Sequence, residues 1–124
     1  MSLARLARAT AVHVAVAFFA MGGWALYANR AHGAAALAPA LAQGAMSGAI
    51  TLVLKRALEA MSPRLGGALA YLVPPLITAS LILAVLISVH RLIGTPEIAA
   101  TIAVPWSVST LYAVIYAATL ARRG

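Results

Sequence analysis

The sequence predicts an all-α integral membrane protein of four transmembrane helices, arranged as two helical hairpins. Three observations predict it. Of 124 residues, 64% are hydrophobic and only 9% charged, whereas a soluble domain carries about 25% charged residues. The mean hydropathy is +0.98. The apolar residues gather into four runs, each close to the ~20 residues that a helix needs to cross the hydrocarbon core. A surface this poor in charge could not be kept in water, so the lipid bilayer is the expected partner of most of it. The length fits one domain, residues 1–124.

The spans are read as 9–28, 34–54, 65–89 and 97–120. Their length and the lack of strict alternation favour helix over strand. A β-barrel would need at least about eight strands with polar inward positions. The first run follows Arg5 and Arg8, as the apolar core of a signal peptide follows its basic start, but its apolar stretch exceeds a 7–15-residue core and no clear A-x-A site follows. It reads as an uncleaved helix.

The net charge of +7 is explained by topology rather than by nucleic acid. Arg5, Arg8, Lys55, Arg56, Arg64, Arg122 and Arg123 fall on one side of the four spans, and only Arg30 and Arg91 on the other. By the positive-inside rule this seven-to-two bias implies one orientation, in the inner membrane of a bacterial cell, with both termini and the middle loop cytoplasmic. Richness in Ala and Arg fits a GC-rich bacterial genome. The chain has no cysteine, which removes disulfides, thiolate metal sites and cysteine nucleophiles.

The connections are short. "NRAHG" (29–33) joins the first pair of spans and "HRLIGTP" (90–96) the second. In "KRALEAMSPR" (55–64), Lys55 and Arg56 stand four and three residues before Glu59, a spacing that supports helix, and Pro63 marks a place for the next helix to start. Thr95, before Pro96 and Glu97, is a candidate N-cap of the last span. A weak repeat accompanies this layout. "MSLARL" (1–6) is echoed by "MSPRL" (61–65), and Arg30 and Gly33 match Arg91 and Gly94 at an offset of 61. Two hairpins inserted in the same sense would produce such a parallel repeat.

Small residues let membrane helices approach closely. Gly44 and Gly48 form a GxxxG in the second span, preceded by Ala40. They are expected at a helix contact, within the chain or between chains of a homo-oligomer or larger complex. A polar stripe runs beside them, with Gln43, Ser47 and Thr51 each four apart. The fourth span carries Thr101, Pro105, Ser109, Tyr112 and Tyr116 on one face. The stripe is expected either to bond internally or to line a polar path. Pro74, Pro75 and Pro105 lie within spans, and broken helices often line sites. His13 lies in the first span, where an imidazole can relay protons or bond a neighbour. Trp24 and Tyr27 suit an interfacial belt.

If both hairpin tips face the same side, Asn29, Arg30 and His32 come near His90, Arg91 and Glu97. Such a basic rim with one carboxylate anchors helix ends, or binds an anionic headgroup through arginine forks. His32, His90 and Glu97 lack the spacing on one helix that would argue for a metal. No cofactor motif, phosphate-binding loop, intramembrane acid pair or catalytic constellation is present, so enzymatic activity is not expected.

Four short spans in about 120 residues resemble, in architecture alone, small multidrug transporters, dual-topology fluoride channels and lipid-sugar flippases. The first pattern needs an acidic residue in span one, which is lacking here, and the second conflicts with the charge bias. The third fits size and orientation without a confirming motif. The expectation is a small transporter or flippase-like protein for an anionic or lipid-linked substrate, with its site at the rim. The alternatives are an accessory subunit docking a larger membrane complex, or a small intramembrane enzyme.

Overall fold

A computed structural model describes residues 2–124. It is 91% helix, with no strand among the described residues. The four long helices are α1 (Leu3–Ala28), α2 (Leu37–Met61), α3 (Ala68–Leu92) and α4 (Ile98–Arg123). All four are long and apolar enough to cross a membrane. Large apolar side chains such as Val16, Phe19, Leu41, Leu76, Leu81 and Leu111 are exposed. In water so large an apolar surface would aggregate. In lipid it is the solvated face, and the protein is membrane-embedded.

The helix ends differ from the sequence expectation in instructive ways. α1 starts earlier, at Leu3, because the Ser2 hydroxyl accepts from Arg5 N (3.2 Å) and caps it. Pro63 does not open α3. It lies in a short 3-10 turn, Ser62–Arg64, and α3 begins only after Gly67, whose φ of +57° turns the chain. Thr95 does not cap α4 with its side chain, which is committed to His90. The first amide of that turn, Glu97 N, instead donates to Asn29 Oδ1 in the other hairpin (3.0 Å). Pro74, Pro75 and Pro105 do not break their helices, which run through them. Beside the first two, the Thr78 hydroxyl donates to the Pro74 and Pro75 carbonyls.

The four helices run up and down. α1 packs antiparallel on α2 and α3 on α4, while α2 and α4 meet at the centre and α1 and α3 do not touch among the described residues. Both tips therefore lie at one end, and the termini, the α2–α3 turn and seven of the nine cations at the other. The expected repeat has structural counterparts. Leu37 and Ile98, which open α2 and α4, are 61 residues apart (98 − 37), and Gly33 and Gly94 both turn the chain at positive φ (+60° and +72°). Asn29 and His90, also 61 apart (90 − 29), are both fully buried at the ends of their helices.

Packing follows the small residues. A Cβ built on Gly22 would stand 2.9 Å from the Ala40 carbonyl oxygen, and one on Gly44 2.9 Å from the Phe18 carbonyl oxygen. One on Gly48 would meet the Val14 side chain at 3.2 Å. The GxxxG is thus spent within the chain, on α1. Near the termini, Leu54, Leu58 and Ala113 form a small core between α2 and α4, and the Tyr116 hydroxyl donates to Glu59 across the same contact. Lys55 lies 3.9 Å from Glu59, as its spacing suggested.

Candidate functional site

The tip half of the bundle is closed by buried polar contacts. Asn29, just past the end of α1, is inaccessible to solvent. Its amide nitrogen donates to Ala25 O (2.9 Å) and to the Thr101 hydroxyl (2.7 Å), while its oxygen accepts from Glu97 N. One side chain thereby closes the C-terminal end of α1 and the N-terminal end of α4. The Thr101 hydroxyl donates in turn to Glu97 O. Nearby, Trp24 Nε1 crosses to Ala100 O at 2.8 Å. Trp24, half-buried at this end, thereby also ties α1 to α4.

The second hairpin answers with His90. Gln43 Oε1 can only accept, so His90 Nε2 donates to it (2.8 Å), and in the neutral ring Nδ1 accepts from the Thr95 hydroxyl (2.7 Å). The Gln43 amide nitrogen then donates to the Ser47 hydroxyl (3.0 Å). The result is a hydrogen-bonded row, Thr95–His90–Gln43–Ser47, running from the tip towards the middle of α2. Gln43, His90 and Thr101 are fully buried.

The expected rim therefore divides. Asn29 and His90 face inward and do not form part of an exposed rim. His32 and Glu97 pair at the surface, with His32 Nε2 donating to Glu97 Oε2 at 2.8 Å. Arg30 lies over the Tyr27 ring (3.9 Å) and donates to Tyr27 O (2.8 Å), a contact within its own hairpin. Arg91 is exposed at the end of α3. No three potential metal ligands gather among the described residues.

The polar stripe also divides, by depth. Its upper members, Gln43 and Thr101, are dry and bonded. Its lower members, Ser47, Thr51, Ser109 and Tyr112, line a cleft of about 1300 Å³ between α1, α2 and α4. α1 joins α4 through Trp24 and Asn29 at the tip, and further down the two helices stand apart on either side of the cleft. Leu6, Ala9, Thr10, His13, Ala17 and Met21 form its α1 wall, Pro105 and Val108 belong to its α4 wall, and Lys55 and Arg56 lie at its basic end. Ser47 belongs to both regions, since it accepts from Gln43 and also lines the cleft.

This cleft was only partly legible in the sequence. The α2 and α4 walls were visible as a polar stripe. The α1 wall follows Leu6, Thr10, His13, Ala17 and Met21, spaced by three and four as one helix face requires, with Ala9 beside them. It carries too few polar groups to stand out from the apolar run around it. Lys55 and Arg56 read as topology signals and as partners for Glu59, not as part of a cleft.

The arrangement offers a histidine, several hydroxyls and two cations inside a membrane-embedded wedge. Comparison of the chain with protein-family models, with curated proteins and with solved structures finds no match in any of the three.

Proposed function

We propose that the protein is a small transporter or flippase-like protein of the bacterial inner membrane, acting on an anionic or lipid-linked substrate that enters the α1–α4 cleft from the basic end. The positive-inside rule makes that end cytoplasmic, with both termini inside. One observation carries the reading: a mostly apolar cleft that carries a row of hydroxyls, His13, Lys55 and Arg56 opens through half of the bundle and stops at a buried, hydrogen-bonded seal. Polar groups facing hydrocarbon are costly; the Thr51 and Ser109 hydroxyls are met by the Ser47 and Trp106 carbonyls, which leaves Thr10 and His13 to call for water or a polar occupant. A seal at one end with access from the other is the form of an alternating-access protein resting in one state. The site moves accordingly from the tip rim to the cleft.

The absence of cysteine makes the access test direct. Single cysteines at Ser109 and Thr51 are expected to react with a membrane-impermeant thiol reagent from the cytoplasmic side only, and cysteines at Gln43 and Thr101 from neither. Labelling of Ser109→Cys from the tip side alone would overturn the orientation. Function is then read in vesicles of phosphatidylcholine with a fluorescent phosphatidylglycerol. Reconstituted protein is expected to speed its exchange between leaflets, measured by quenching with dithionite. Exchange no faster than in empty vesicles would overturn the transport reading and favour an accessory subunit, whose cleft receives a partner's helix.

A further inference from the structure

A second depression adjoins the cleft. It is a shallow, open groove of about 820 Å³ along the other side of α1, with Leu6, Ala11, Ala15, Phe18, Phe19 and Leu52 among its lining residues. Groove and cleft share a base, because Leu6, Thr10, Leu52 and Arg56 line both. Arg56 is thus a cation at the junction of an apolar groove and a polar cleft. The chain has two acidic residues, and both are engaged elsewhere. Glu59 takes Lys55 and the Tyr116 hydroxyl, and Glu97 takes His32 at the opposite end. Among the described residues Arg56 makes no ion pair.

From this geometry we propose that the groove and Arg56 together bind an anionic phospholipid, with one acyl chain along α1 and the phosphate on the Arg56 guanidinium. This deepens the preceding reading by naming the substrate class, and it rests on that reading for the step from binding to movement. The dimensions suit a lipid. Helical rise sets Phe19 about 14 Å beyond Thr10, close to one leaflet of a hydrocarbon core about 30 Å thick. The chemistry suits phosphate, since a guanidinium presents paired donors to its oxygens, and Thr10 adds a hydroxyl beside it. A zwitterionic headgroup brings its own cation to a region that already holds Lys55 and Arg56, so a net negative lipid is favoured. A lipid seated here has its headgroup at the mouth of the cleft and its chain outside, in the groove.

The test uses the full chain in a mild non-ionic detergent, with phosphatidylglycerol or phosphatidylcholine added and retained lipid counted by native mass spectrometry. Phosphatidylglycerol is expected to be retained over phosphatidylcholine and not displaced by millimolar inorganic phosphate. Displacement by phosphate would mean a site for a free anion and would overturn the lipid assignment. Loss of one charged hydrogen-bonded contact weakens binding about tenfold, so Arg56→Gln should retain about tenfold less phosphatidylglycerol. Ala15→Trp fills the groove without touching Arg56 and should lose the lipid similarly. Arg8→Gln removes a cation at the same end outside both depressions and should retain the lipid like the parent. Parental retention by Arg56→Gln, or equal loss in Arg8→Gln, overturns the site, and melting curves of each variant identify any that fails to fold. Binding that depends on Arg56 without leaflet exchange by the parent would support the site and defeat the transport reading. Leaflet exchange by a protein whose lipid retention ignores Arg56 would do the reverse.

Discussion

Gly44→Ile is expected to separate α1 from α2 and to lower stability by about 3 kcal/mol, the upper part of the range for overpacking a filled contact. The reason is the identity of the neighbour. The added Cβ would stand 2.9 Å from the Phe18 carbonyl oxygen, with the Phe18 ring at 3.1 Å. A carbonyl cannot rotate aside, so the helices must move. Gly48→Ile costs less, about 1 kcal/mol, because its obstacle is the Val14 side chain at 3.2 Å, which can shift. Gly23→Ile meets nothing within 4 Å and should stay within about 0.5 kcal/mol of the parent, as surface changes do. Melting temperatures in mild detergent read the order directly. Equal melting of the Gly44 and Gly23 variants would show that the α1–α2 crossing does not hold the bundle together. Because both GxxxG glycines face α1, an assembly of several copies has to use another surface.

The class of fold was legible because hydropathy acts on whole segments. Four apolar runs of the right length, split by short polar links, leave few options in lipid. The ends were less legible because capping is decided by neighbours. Thr95 has the composition of an N-cap, yet its hydroxyl is drawn to His90, and Glu97 N is capped by Asn29 from a distant part of the chain. The tip residues lie at one end of the bundle, but sequence spacing does not say which side chains turn inward. Asn29 and Arg30 are consecutive, and one is fully buried while the other lies on the Tyr27 ring. The cleft was least legible. It arises where α1 and α4 fail to meet, and an absent contact leaves no periodic mark in a sequence. Glu59 shows the intermediate case, since its pairing with Lys55 follows from spacing, whereas its bond from Tyr116 needs the α2–α4 contact.

The seal over the cleft makes the second strong prediction. His90→Leu keeps comparable bulk but strands the Gln43 carbonyl oxygen and the Thr95 hydroxyl inside the bundle. Water does not reach the Gln43 site while the bundle stays closed, since Gln43 and His90 are both fully buried; it enters only when the weakened seal opens. An interhelical hydrogen bond in a membrane is worth up to about 1.7 kcal/mol. With two groups left unpaired, the expected loss for His90→Leu is about 2 kcal/mol. Gln43→Leu alone should cost about 1.5 kcal/mol, since it strands His90 Nε2 and leaves Ser47 the hydration of the cleft. The double variant removes both buried partners, so it should cost less than the sum of the two. That shortfall, read from melting curves, measures the pair itself. Strict additivity would show that the two side chains do not interact. The functional consequence follows from the same row of contacts. Ser47 lies at once on the cleft and at the end of the row. In the parent background, a cysteine at Ser47 is expected to react from the cytoplasmic side alone. In the His90→Leu background it should also react from the tip side, at a rate that rises with the loss of stability. If the seal variant stays closed to the reagent while melting earlier, the row holds the helices together without gating the cleft, and access to the far side must be governed by the Trp24 and Asn29 contacts between α1 and α4.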